Sequence, residues 1–309
     1  MSIVVLTGGV GGAKLVLGLA RALPGVDITA IVNTGDDFHH LGLPVSPDLD
    51  TLLYTLAGKS NQAQGWGREG ESWQFMAALR SLGGPDWFAL GDGDLALHVL
   101  RGQALAAGDT LSQVTASFAT AWGVTTRMLP MSDDPVATIV ETDEGPLSFQ
   151  EYFVARRCMP PVRSVRFSGA AEAAPAPGVI DALTDKATRA ILIAPSNPFL
   201  SIDPILAVPG IAEALVAARA PVVAVSPIIN GAAVKGPTAK LMQELGLAVT
   251  PASVADHYGA WLDGMLIDEG DRNVAPAIAC SFTDTLMTTF DDRVRVARGA
   301  LELADRIAR

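Results

Sequence analysis

The stretch Met1–Leu23, MSIVVLTGGVGGAKLVLGLARAL, constrains the fold more than any other part of the chain. Ile3, Val4, Val5 and Leu6 form an apolar run that suits a strand buried on both faces. Thr7-Gly8-Gly9-Val10-Gly11-Gly12 follows directly, and Leu15, Leu19, Ala22 and Leu23 then recur at helical spacing. Strand, glycine loop and helix in that order bring backbone N–H groups and a helix N-terminus toward an anion. Gly8, Gly9, Gly11 and Gly12 have no Cβ to hold a phosphate away, and they tolerate positive φ. The loop reads G-G-x-G-G, which is neither the P-loop nor the dinucleotide fingerprint. It predicts a phosphate or diphosphate ligand, with Lys14 just inside the helix adding charge.

Buried-strand runs recur downstream, and they end alike. Ile28–Val32 runs into Asn33-Thr34-Gly35-Asp36-Asp37, Ala190–Ile193 into Pro195-Ser196-Asn197-Pro198, Val222–Val225 into Ser226-Pro227, and Gly264–Ile267 into Asp268-Glu269-Gly270-Asp271. Apolar strands that each finish in small polar residues predict a doubly wound, Rossmann-like α/β sheet of three layers, with ligands at one edge. The length of 309 residues allows one large domain or two small ones. The pattern favours a single α/β domain with a mostly helical insertion at about 60–123. There Gln62, Gln64, Trp66, Arg68, Glu69 and Glu71 are polar and strand-poor, and Trp73–Leu82, Asp94–Leu105 and Leu111–Trp122 read as helices. Ala137–Glu141, Leu147–Ala155 and Val162–Ser168 read as further, antiparallel strands.

Carboxylates dominate the remaining chemistry. Ser46 is placed as an N-cap, with Pro47 at the first helical position. Leu49, Leu52, Leu53 and Leu56 make one apolar stripe, and Asp48 and Asp50 flank it. Acids in a first turn also complement the helix dipole without catalysing anything, so two roles stay open for this pair. Leu90-Gly91-Asp92-Gly93-Asp94 is a glycine-acid turn, followed by His98 and Arg101. The four histidines lack zinc spacing, and G-x-S-x-G is absent. The net charge of −11 argues against a nucleic-acid or anionic-membrane surface. A diphosphate bound in an acidic site calls for a divalent cation, and hard oxygen ligands suit Mg²⁺. Cys158 and Cys280, only two and far apart, fit a reducing cytoplasm, and Met1 leads straight into the first strand without room for a signal peptide.

Taken together, GGVGGAK, VNTGDDF, SPDLDTLLYTL, GWGREGESW, PDWFALGDGD, LPMSDDPV, APSNPFLSIDPIL, VVAVSPIING and TDTLM resemble the 2-phospho-L-lactate transferase family of coenzyme F420 biosynthesis. The resemblance runs in order over nearly the whole chain. It implies transfer of a phospho-acid unit from a guanosine diphosphate-linked donor to the ribityl hydroxyl of 7,8-didemethyl-8-hydroxy-5-deazariboflavin (Fo), with GMP leaving. It also implies Mg²⁺ dependence and a homodimer. Family precedent names lactate as the acid, and bacterial members favour the enolpyruvyl form; glycerate stays open.

By the same resemblance, Gly8–Gly12, Lys14, Asn33, Asp37, Asp92, Ser196 and Asn197 would bind donor or acceptor. Asp36, Asp48 and Asp50 would hold the metal, and Asp50 with Asp48 would do the catalysis. Relatives carry a basic residue at the position of Gly93, for which Arg101 or Lys14 would compensate. Two rivals differ in class. One is a non-catalytic nucleotide-sugar-binding regulator of the gluconeogenesis-factor type, opposed by the tandem acids. The other is an NAD-dependent dehydrogenase, opposed by the glycine spacing.

Overall fold

The computed structural model describes residues 1–61, 64–234 and 236–308; Gln62, in the polar run noted above, lies outside them. Seven parallel strands form the central sheet: β1 (Ser2–Thr7), β2 (Asp27–Val32), β3 (Arg127–Pro130), β4 (Thr188–Ile193), β5 (Val222–Val225), β6 (Gly264–Asp268) and β7 (Ala279–Thr283). Their spatial order is β7-β6-β5-β4-β1-β2-β3. The order reverses at β1, between β2 and β4, and the ligand crevice of such sheets opens beyond the strand ends at that switch.

β1 is central because its side chains can be buried on both faces. Val4 and Leu6 pack with Ile191, Ile193 and Tyr152 in one core layer, and Ile3 and Val5 with Leu15, Leu19 and Val296 in the other. The second layer holds helix α1 (Gly9–Ala22) against the last helix, Phe290–Ile307. The two backbones meet at Gly18, where a Cβ would collide with the Arg293 carbonyl oxygen. Gly18→Ala is therefore expected to cost roughly 1–3 kcal/mol, because backbone cannot yield as a side-chain tip does. Chemical denaturation would show it, and an unchanged midpoint would mean that the helices slide apart freely.

Between β2 and β3 run an antiparallel hairpin (Phe38–His40 with Leu43–Val45) and helices α2 (Pro47–Leu56), α3 (Gln74–Ser81), α4 (Asp92–Ala106) and α5 (Leu111–Ala121). Between β3 and β4 lies a three-stranded antiparallel sheet, with Ala137–Thr142 flanked by Gly145–Ser148 and Val162–Ser168. Leu147–Ala155 is not one strand, as the apolar run suggested. The strand stops at Ser148, and Glu151–Ala155 is a π-helical turn that buries Tyr152 completely.

Candidate active site

A cavity of about 550 Å³ opens at the carboxyl edge of the sheet. The residues after β1 (Gly8–Gly11), β4 (Pro195–Asn197), β5 (Ser226, Pro227) and β7 (Thr285–Met287) form its sheet-side wall. Helix α2 contributes Asp48, Asp50 and Tyr54, and α4 contributes Asp94 and His98. Trp66, Phe88, Phe149 and Phe153 supply aromatic wall, the last two with rings stacked at 5.3 Å.

The glycine loop is held from behind. Ser196 Oγ accepts from the Gly8 N–H at 3.1 Å and donates to the Gly8 carbonyl at 2.7 Å. The Gly9 N–H donates to Asp48 Oδ1 at 2.7 Å. Two of the amides expected to face an anion thus bind protein. In the first turn of α1, Val10 and Gly11 keep N–H groups that have no intrahelical partner, and both residues line the cavity. Gly12 does not reach it, being packed on the side chains of Thr7 and Ser196. Gly8 must be glycine for Asp48: a Cβ there would fall on Asp48 Oδ2 and the Ser201 side chain. Lys14 lies on the wall and its ammonium donates to the Met287 carbonyl at 2.6 Å. Asn197 uses Oδ1 to accept from the Phe199 and Leu200 amides, while its buried Nδ2 has no hydrogen-bond partner.

Asp48 and Asp50 are both buried, which removes the surface helix-dipole role for either. Asn33, fully buried behind the wall, donates to Asp48 Oδ2 at 2.9 Å and accepts from the Gly35 amide. Burial pushes the Asp48 carboxyl up to about 6, against the lowering effect of its Asn33 and Gly9 hydrogen bonds. Asp36 is pushed well above the usual carboxylate range by burial and then by the charge of Asp48; Asp37 is raised as well, chiefly by burial. Both lie behind the wall, each with one buried oxygen lacking a partner. Asp37 takes the Ser46 hydroxyl at 2.6 Å, so Ser46 does not cap α2 with its side chain as its position suggested.

Asp50 is claimed by Arg101. The guanidinium, 2 % exposed, engages both carboxylate oxygens and also reaches the Pro44 carbonyl and His98 Nδ1. The expected metal set of Asp36, Asp48 and Asp50 is therefore not assembled. Among the described residues, no three carboxylate, imidazole or thiol groups come together as a ready cage. The donor set instead fits a cation held by one or two carboxylates and completed by phosphate oxygens, with Asp48 on the wall and Asp36 behind it.

Asp92 is not on the cavity either. Its carboxylate accepts from Ser72 Oγ and from the Gln74 and Phe75 amides, capping α3, and these bonds hold it below the usual range. The space a side chain at Gly93 would need is filled by the Arg68 guanidinium, so Arg68, rather than Arg101 or Lys14, brings positive charge to that turn. The residues that replace Asp92 on the wall are Asp94, His98 and Tyr54. Asp94 and His98 sit four apart on α4, as do Asp50 and Tyr54 on α2. That i, i+4 spacing was the available signal.

A profile of the family described as 2-phospho-L-lactate transferase CofD matches residues 3–292. Proteins named phosphoenolpyruvate transferase from Streptomyces griseus and Streptomyces coelicolor are 46% and 45% identical, each over 99% of this chain and 99% of the relative. One of the same name from Nocardia farcinica is 42% identical over 98% of this chain and 94% of the relative. A crystal structure of a UPF0052-family protein from Bacillus halodurans superposes with a TM-score of 0.62 at 18% identity, covering 97% of this chain and 100% of that one, a likeness of fold. With a family profile spanning nearly its whole length and relatives above 40% identity end to end, the chain belongs to the 2-phospho-L-lactate transferase CofD family and is a transferase.

Proposed function

We propose that the protein transfers a phosphoenolpyruvyl unit from a guanosine diphosphate-linked donor to the ribityl hydroxyl of Fo in F420 biosynthesis, releasing GMP. One observation carries this reading: a single cavity combines a helix N-terminus and the Ser196-Asn197 turn, which suit a diphosphate, with aromatic walls that suit a planar ring. The enolpyruvyl choice rests on the name shared by the relatives. Phospholactyl and phosphoglyceryl donors differ by one double bond or one hydroxyl, a discrimination worth roughly 1–3 kcal/mol in an apolar pocket.

The chain's work is chiefly positioning and charge stabilisation. The Val10 and Gly11 amides and the Ser196-Asn197 turn hold the donor phosphates. Asp48, with Asp36 behind it, would hold Mg²⁺, which when bound neutralises diphosphate oxygens. A cavity carboxylate takes the proton of the attacking hydroxyl. A cytoplasmic homodimer belongs to the same reading; no single described helix is long and apolar enough to cross a membrane.

Incubation with Fo and equal amounts of the three donors is expected to give GMP and chiefly the enolpyruvyl product by mass spectrometry. A lactyl or glyceryl product in majority would overturn the donor assignment. Nucleotide binding without GMP release would favour the regulator.

A further inference from the structure

Three carboxylates reach the cavity wall, and their partners set them apart. Arg101 engages both oxygens of Asp50. Each Asp48 oxygen already accepts a hydrogen bond, from Gly9 or from Asn33. Asp94 differs: Tyr54 donates its hydroxyl to Oδ1, but Oδ2 faces His98 Nε2 at 3.5 Å, beyond good hydrogen-bond length. Its side chain is 18% exposed, so Oδ2 is open to a ligand in the cavity.

The arrangement behind Asp94 is fixed by Arg101. A guanidinium can only donate, so His98 Nδ1, 3.2 Å from Nη1, must accept. The imidazole proton then sits on Nε2, on the side of Asp94. His98 is 1% exposed, and Nε2 has no hydrogen-bond partner within the protein. Tyr54 on α2 thus holds one oxygen of the Asp94 carboxylate, and the Nε2–H of His98 on α4 lies 3.5 Å from the other, which keeps room for a ligand from the cavity.

We propose that Asp94 is the catalytic carboxylate that binds the attacking hydroxyl of the acceptor, with Tyr54 and His98 as its positioning residues. This rests on the transferase reading above. The hydroxyl oxygen bonds to the phosphorus that carries the acid, and the bond from that phosphorus to the bridging oxygen of the nucleotide breaks. The electron pair leaves with GMP, and the hydroxyl proton passes to Asp94 Oδ2. A loose phosphoryl-transfer transition state asks for an aligned hydroxyl more than for a strong base, so a well-held carboxylate suffices.

The test is Fo-dependent GMP release by the whole protein at saturating donor, beside a melting curve. Asp94→Asn should lower kcat by at least about 100-fold, with donor KM within threefold of wild type and melting unchanged. Tyr54→Phe should lower kcat or raise the acceptor KM by about tenfold and leave the donor KM alone. Asp94→Glu should recover part of the rate and serves if the Asn variant does not fold. Asp94→Asn within fivefold of wild type, or equal losses in donor KM and melting, would overturn the proposal while the transferase reading stands. A wild-type protein that releases no GMP would overturn both.

Discussion

Arg101→Met is expected to destabilise the protein by about 3–5 kcal/mol, the cost of leaving a buried carboxylate without its counter-charge. Arg101 and Asp50 are 2% and 5% exposed, and the guanidinium meets the carboxylate through two nitrogens. Met covers the same aliphatic length but offers no donor to Asp50 or to the Pro44 carbonyl. The pair also joins α2 to α4, so the loss loosens the cavity wall as well as the core. Replacing both partners, Asp50→Leu with Arg101→Met, should recover most of the stability, since the desolvation cost of both charges goes with them. It should not recover turnover, because His98 then has no group to fix its tautomer. Denaturant titration of wild type, single and double variants measures this directly. A single variant within about 1 kcal/mol of wild type would mean that water reaches Asp50.

Asp48→Asn should lower turnover by roughly 10²–10³-fold, the effect of removing one group that stabilises transition-state charge. The amide keeps an oxygen for the Gly9 N–H but sets a donor against Asn33 Nδ2, and it carries no charge toward a cation. The same variant should change the pH dependence of stability. Asp48 is raised to about 6 in the folded protein, from an unfolded value near 3.8. The folded state therefore binds the proton more tightly, and stability falls as pH rises from about 4 to about 6, then levels. A shift of that size corresponds to about 3 kcal/mol for a metal-free protein. Asp48→Asn should flatten that slope, and Mg²⁺ with diphosphate ligand should flatten it in wild type. Melting temperatures between pH 4 and pH 7.5, with and without Mg²⁺, would reveal both effects. A pH slope that Asp48→Asn leaves unchanged would contradict a buried Asp48 without a counter-charge.

Much of the scaffold is legible in the sequence because it depends on local patterns. Ile3–Leu6, the glycine loop and the Leu15/Leu19 spacing specify β1 and α1, and the helices at 74–81, 92–106 and 111–121 fall within two residues of their apolar periods. The failures are long-range. Ser46 has the right chemistry for a cap, but Asp37, nine residues earlier, takes its hydroxyl. Asp92 and Asp94 share one turn, yet only packing decides which points into the cavity and which caps α3, whose first residue lies eighteen positions back. Asp50 looks as available as Asp48 until Arg101, fifty-one residues on, is folded against it. An apolar run such as Leu147–Ala155 also cannot separate a strand from a helical turn, since burial suits both.

The close passage of Gly18 beneath Arg293 has a consequence for the chain as it is made. Helix α1 is covered by a helix made about 275 residues later. At roughly 5–20 residues per second, Leu15 and Leu19 face solvent for on the order of 15–55 s before that cover exists. One side of β1 waits too, because β2 follows at residue 27 but its other neighbour, β4, starts at residue 188. The glycine loop between β1 and α1 thus depends on partners made much later than itself, so its ordering comes late in the growth of the polypeptide rather than as the loop emerges.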